Sequence, residues 1–262
     1  MAIRMTFTRK DELSEVIVKK LPVSQPPVSN LKIFRQLDRG FSGNEQDKQR
    51  ARKLEDLLEE LDSLVGLEPV KKLILEIQAF VEIRRRRAKE NLATEPLVLH
   101  SIYRGNPGSG KTTVARLAAR IFKEMGLLEK GHIIEVERAD LVGEYIGHTA
   151  HKTRELIKRA IGGVLFIDEA YSLARGGEKD FGKEAIDTIV KNMEEHKENL
   201  ILILAGYKEE MDWFLETNPG LRSRFPIQID FPDYSVPELI KIADLMLEKR
   251  QYQLTDEARA AL

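Results

Sequence analysis

Residues Gly105-Asn106-Pro107-Gly108-Ser109-Gly110-Lys111-Thr112 carry the pattern G-x-x-x-x-G-K-[ST]. Glycines at that spacing let the backbone curl until successive N–H groups face one anion, and a following helix adds its own unpaired donors and positive potential. Phosphate is the natural guest of such a loop. Lys111 supplies positive charge to the β- and γ-phosphates, and the Thr112 hydroxyl suits Mg²⁺. Farther along, the apolar run Val164-Leu165-Phe166-Ile167 stops abruptly at Asp168-Glu169. Charge at the end of a buried strand needs a use: Asp168 is placed to hold Mg²⁺ directly or through water, and Glu169 to orient or deprotonate an attacking water. Each motif strengthens the other, because phosphoryl transfer to water needs a phosphate cradle, a metal and a base together.

These groups work only if the chain sets them on one surface. The loop lies between an expected strand at 97–103 and a helix marked by Val114, Leu117, Ala118, Ile121, Phe122 and Met125, with Gly126 as its stop. Further β-favouring segments at 133–136, 164–167, 200–204 and 227–231 alternate with helical ones at about 153–161, 183–195 and around Met211, Phe214 and Leu215. This pattern predicts an α/β fold with a five-stranded parallel sheet covered by helices on both faces. Ahead of it, Leu54, Leu57, Leu58 and Leu61 mark one buried helix face, and Val70, Leu73, Ile74, Ile77 and Val81 a second helix at about 69–89. Past Pro232, Ser235, Pro237 and Glu238 announce a helix with a capping box. The expected organisation is an N-terminal appendage or linker at 1–50, a nucleotide-binding α/β domain at 51–231 and the start of a helical domain at 232–262.

Composition narrows the classes. The 262 residues include 42 basic and 43 acidic side chains, for a net charge of −1, so no global charge drives the chain to nucleic acid. The cysteine count of 0 removes thiol nucleophiles, thiolate metal sites and disulfides. No apolar run approaches the roughly 20 residues of a membrane-spanning helix, and no apolar signal core follows the charged start, so the expected location is cytoplasmic. The run Arg84-Arg85-Arg86-Arg87 reads first as cations at a helix C-terminus and second as a local nucleic-acid patch. His148 and His151 sit three apart with no third metal ligand in view.

With both motifs placed, residues of about 60–255 resemble the AAA+ ATPases, and most closely the stage V sporulation protein K and red-type rubisco activase group. The segments 137–149 (Glu-Arg-Ala-Asp-Leu-Val-Gly-Glu-Tyr-Ile-Gly-His-Thr) and 168–177 (Asp-Glu-Ala-Tyr-Ser-Leu-Ala-Arg-Gly-Gly) carry the likeness and lean to its sporulation side. The resemblance implies ATP as nucleotide, a small helical lid after the core, and a homo-oligomeric ring, expected to be hexameric, with nucleotide between neighbours. It implies an arginine finger from the adjacent subunit, matched here by Arg224 first and Arg222 second. It also implies adenine contacts from Val65-Gly66-Leu67, and a central-pore loop at Tyr145-Ile146-Gly147 that grips a polypeptide. A second pore or intersubunit loop would fall at 175–182. Many relatives end the fourth core strand with a short polar residue facing the γ-phosphate; here Leu204-Ala205-Gly206 leads to Tyr207, the one candidate substitute. The lid arginine of such relatives would fall past Leu262, so the chain is expected to stop within the lid.

The sequence therefore predicts a Mg-ATP-dependent motor that remodels a protein partner of unspecified identity. The alternatives are a nucleic-acid-directed motor or loader on the same core, and a nucleotide-switched scaffold with little turnover.

Overall fold

The computed structural model describes residues 3–9, 12–20, 45–94, 97–145, 147–176 and 180–261. The chain divides into two units, one built from 1–43 with 234–262 and the other from Asn44–Asp233. In chain order the elements are β1 (Ile3–Arg9), β2 (Glu12–Lys20), α1 (Glu45–Ser63), α2 (Glu68–Lys89), β3 (Ser101–Gly105), α3 (Lys111–Glu124), β4 (Ile133–Val136), α4 (Arg138–Leu141) and α5 (His148–Ala160). There follow β5 (Val164–Ile167), a 3₁₀ turn (Ala170–Ala174), α6 (Gly182–Glu195), β6 (Ile201–Gly206), α7 (Lys208–Thr217), α8 (Pro219–Arg222), β7 (Ile227–Phe231), α9 (Val236–Glu248), β8 (Tyr252–Leu254) and α10 (Asp256–Ala261).

The larger unit is a five-stranded sheet in the order β4-β5-β6-β3-β7, with every pair parallel. Strands β5 and β6 are apolar at every position because both faces are covered. Side chains alternate between faces with the strand period of two. Tyr103, Val164, Phe166, Ile201 and Ile203 join the core beneath α1, α2 and α3. Ile102, Leu165, Ile167, Leu202 and Leu204 join the core beneath α5, α6 and α7. Parallel strands place all their carboxyl ends on one edge, so Gly105, Ile167, Gly206 and Phe231 finish on the same side of the sheet.

Two boundaries differ from the sequence expectation for physical reasons. The first core strand starts at Ser101 rather than 97, because the Leu202 N–H donates to the His100 Nδ1, 3.1 Å away, where a neighbouring strand's carbonyl would otherwise serve. The helix expected at about 153–161 begins earlier, at His148, since Gly147 takes a left-handed conformation and starts it. The arginine run has mostly local uses. Arg85 Nη2 donates to the Met125 carbonyl at 2.6 Å, Arg87 to the Ala93 carbonyl at 3.0 Å, and Arg86 pairs with Glu82 at 2.9 Å.

The smaller unit is an antiparallel sheet in the order β1-β2-β8, with α9 and α10 beside it. Ser235 caps α9, its N–H donating to Glu238 Oε2 at 2.8 Å, and Thr255 Oγ1 accepts from the Ala258 N–H. Among the described residues no helix is long and apolar enough to cross a membrane.

Candidate functional site

The loop at the end of β3 owes its shape to particular glycines. Gly105 pairs with Phe231 of β7, and a Cβ added there would run into the Phe231 carbonyl oxygen, so a larger residue would push the loop off its strand. Gly108 and Gly110 take positive φ values of 78° and 95°, which an L side chain rarely adopts, and Gly110 becomes the N-cap of α3. Inside the curl, the buried Ser109 Oγ donates to the Asn106 carbonyl at 2.7 Å. Lys111 Nζ donates to the carbonyls of Gly105 at 2.7 Å and Asn106 at 2.8 Å, folding the ammonium over the loop. Pro107 and Gly108 are exposed at the tip, and Thr112 stands half-buried in the first turn of α3. Asn106 also donates its side-chain amide to both carboxylate oxygens of Asp233, at 3.0 and 2.9 Å. Behind the loop Arg104 bridges Asp212 at 2.6 Å and Asp230 at 2.8 Å, and Lys208 adds a contact to Asp230 at 2.9 Å, so the ends of β3, β7 and α7 are cross-tied.

The acidic pair comes from β5. Asp168 extends the strand ladder by one bond, its N–H donating to the Val136 carbonyl at 2.9 Å, and its Oδ1 accepts from the Glu169 N–H at 3.0 Å. Glu169 has left-handed backbone angles, φ 46° and ψ 43°, an unusual conformation for a residue with a long side chain. That turn leaves the Glu169 side chain exposed just past the buried strand. Partial burial pulls the Lys111 ammonium below the ordinary lysine value, and the charge of Asp168 works against that pull. The lysine and the aspartate therefore share one electrostatic neighbourhood on the carboxyl edge of the sheet.

Tyr171, which sequence reasoning left without a role, and Arg175, expected only as the start of the 175–182 loop, complete this edge. Tyr171 is buried, and its ring lies 6.1 Å from that of Tyr207 and 4.4 Å from the Arg175 guanidinium. Burial pushes the Tyr171 hydroxyl up to about 12, the Glu169 charge adds to that rise and Arg175 opposes it. Gly206 makes room for this pair: a Cβ on it would stand 2.7 Å from the Tyr171 ring and 2.9 Å from the Met211 sulfur. Tyr207, the N-cap residue of α7, is thus held at the strand end by aromatic packing. Their signal in the sequence was a Tyr and an Arg two and six residues after Glu169, which spacing alone could not assign.

The other candidates keep different company. Arg224 follows α8, its Nε 3.0 Å from Glu194 Oε1 and its Nη1 donating to the Gly220 carbonyl at 2.9 Å, while Arg222 is exposed. Tyr145 is 65% exposed, with its ring edge-on to His148 at 5.4 Å; Gly147 has φ 82° and open space around it, and Ile146 lies outside the described residues. Gly66 and Leu67 take successive left-handed conformations at φ 63° and 59°; with half-buried Val65 they turn the chain from α1 to α2, and Leu67 is buried. Part of the 175–182 loop, residues 177–179, is likewise outside the described residues. Its far end is fastened where Arg138 reaches Asp180 at 2.6 Å and the Ser172 carbonyl at 2.7 Å. Burial works to raise the Asp180 carboxyl, but Arg138 and the N–H groups of Gly182 and Gly176 together hold it below the usual carboxylate range.

Residues 102–233 match the family model described as ATPase family associated with various cellular activities (AAA). The chain is 62% identical over 205 residues to stage V sporulation protein K of Bacillus subtilis, covering 78% of this chain and 64% of that protein. It is 52% identical to protein CbbX of Cereibacter sphaeroides, over 79% of this chain and 68% of the relative. It is 49% identical to a CfxQ homolog of Galdieria sulphuraria, over 84% and 72% respectively. The chain thus spans less than two thirds of the sporulation protein's own length.

Proposed function

The chain belongs to the AAA family of ATPases, and from that premise we propose that it hydrolyses Mg-ATP within a homo-oligomeric ring, expected to be hexameric, and remodels a protein partner through the central pore in a sporulation-related role. The observation that carries the chemical part is the Lys111 ammonium, folded over a glycine-shaped curl on the sheet edge where Asp168 acts on it.

The residues present fit a triphosphate with its metal. Gly108 and Gly110 keep side chains out of the cradle, the N-terminus of α3 faces it, and Lys111 spends its donors on carbonyls that a phosphate can outbid. Thr112 and Asp168 would hold Mg²⁺, whose charge offsets that building up between the β- and γ-phosphates. Glu169 would take the proton of the attacking water: it is exposed, turns off the strand end with a left-handed backbone, and follows Asp168 directly. Tyr207, whose ring lies 6.1 Å from that of Tyr171, would take the place of the short polar residue that many AAA+ relatives carry there. Val65, Gly66 and Leu67 would provide apolar and backbone contacts to adenine. Arg224, or in second place Arg222, would come from the neighbouring subunit to neutralise charge on the γ-phosphate.

Exposed Tyr145 beside Gly147 favours a polypeptide as the remodelled partner, since an aromatic side chain grips peptide without regard to sequence. A nucleic-acid motor on the same core is less well supported, because Arg85, Arg86 and Arg87 are engaged with carbonyls and Glu82. The two are separated by stimulation of ATP hydrolysis. An unfolded polypeptide is expected to raise the rate, and Tyr145→Ala to reduce that stimulation at least about fivefold. Stimulation by DNA that falls steeply with salt would contradict the protein reading.

A further inference from the structure

Arg224 sits on a fixed stem with a movable head. Leu221 and Phe225 on either side of it are buried at 2% and 0% exposure, and the backbone N–H groups of Arg224 and Phe225 both donate to the Leu221 carbonyl, at 2.9 and 3.1 Å. Phe225 packs on the His100 ring at 6.0 Å, and His100 is itself engaged by the Leu202 N–H. Burial thus anchors the stem, and where the guanidinium goes is set chiefly by the side chain.

In this chain that choice is made by Glu194, at the end of α6. Its Oε1 lies 3.0 Å from Arg224 Nε, while Nη1 is held by the Gly220 carbonyl. The pairing is close in distance but poor in direction: Nε is buried and makes no aligned hydrogen bond among the described residues. A guanidinium with an unspent buried donor and a half-exposed carboxylate as counter-ion is held loosely, and a phosphate dianion with better geometry can outcompete that carboxylate. We propose that Glu194 is a positioning residue that parks Arg224 on its own chain, so that the arginine reaches a neighbour's γ-phosphate only by exchanging this carboxylate for it. This rests on the reading of Arg224 as the finger. Its consequence is that unassembled or nucleotide-free subunits keep their finger folded in, and that engagement depends on an anion strong enough to displace Glu194.

The test uses mixed assemblies of the full chain. Lys111→Ala subunits hold no ATP but bring a finger, and Arg224→Ala subunits hold ATP but lack one, so hydrolysis in the mixture reports finger donation alone. Adding Glu194→Gln to the Lys111→Ala partner is expected to raise the mixed rate about two- to fivefold at subsaturating protein concentration, the scale of a partly exposed ion pair. Adding it to the Arg224→Ala partner is expected to leave the rate unchanged, and Glu194→Asp on the finger donor to return it toward the parental value. Equal effects on both partners, or no effect on either, overturn the proposal, since a merely structural role would not depend on which subunit carries the change. If the parental mixture regains no activity, the finger assignment itself falls and the parking role falls with it. If the mixture is active but indifferent to Glu194, only the parking role is lost.

Discussion

The phosphate loop and the segment that carries Arg224 are both short turns tied to a core strand, yet they are finished to different degrees. In the loop, backbone geometry does most of the work: Gly105, Gly108 and Gly110 shape the curl, Ser109 and Lys111 bond into it, and Asp168 arrives on a parallel strand one place beyond the neighbouring β6. At Arg224 the backbone is anchored by buried Leu221 and Phe225, but the side chain is paired with Glu194 of the same chain. A site made from one chain's backbone is complete in that chain. If Arg224 acts on a neighbour, as proposed, its site would be closed by a second chain, and one chain alone would show an anchored stem and a provisional partner.

If this contrast holds, breaking the second region should spare binding and remove catalysis. Arg224→Ala is expected to keep ATP affinity within about threefold while kcat drops at least about a hundredfold, because an arginine finger acts on charge that develops only in the transition state. Nucleotide titration alongside steady-state hydrolysis checks this; a loss of affinity equal to the loss of rate would make Arg224 a structural residue instead.

His100 underlies the same stem through Phe225, and a change there should have a smaller effect. Burial lowers the His100 pKa from 6.5 to about 4, with the Glu194 charge opposing the fall. The folded chain therefore prefers neutral His100, and this contribution is whole above about pH 6.5 and lost as pH falls toward about 4. The difference amounts to about 3 kcal/mol over that window. Urea unfolding at pH 7.5 and pH 5 should show stability falling with acid, and His100→Asn, whose amide oxygen can still accept the Leu202 N–H, should flatten that part of the slope. An unchanged slope would remove His100 from the account.

Much of this was legible in the sequence because it is written in local patterns. Glycine spacing, the apolar run ending in Asp168-Glu169 and the alternation of strand and helix segments are consequences of backbone sterics and burial, and the five-stranded parallel sheet followed from them. What was not legible depends on contacts between distant residues. The late start of β3 comes from a His100 ring bonding to a strand 102 residues away. The packing of Tyr171 against Tyr207 needs Gly206 to leave space, and no spacing announces it. The Glu194 contact with Arg224 joins two segments whose helical patterns say only that one face of α6 is buried. The left-handed turn at Glu169 was equally hidden, since nothing in the residue type favours it.

If one pocket both cradles a triphosphate and positions Glu169 to activate water, ATP binding and single-turnover hydrolysis should separate in Glu169→Gln when it is compared with Lys111→Ala. Glu169→Gln is expected to bind ATP within about threefold of the parent and hydrolyse it roughly a hundred- to ten-thousandfold more slowly, while Lys111→Ala fails to bind. Turnover by Glu169→Gln within about twofold of the parent would remove Glu169 as the base, and undiminished affinity in Lys111→Ala would mean the loop does not hold the triphosphate.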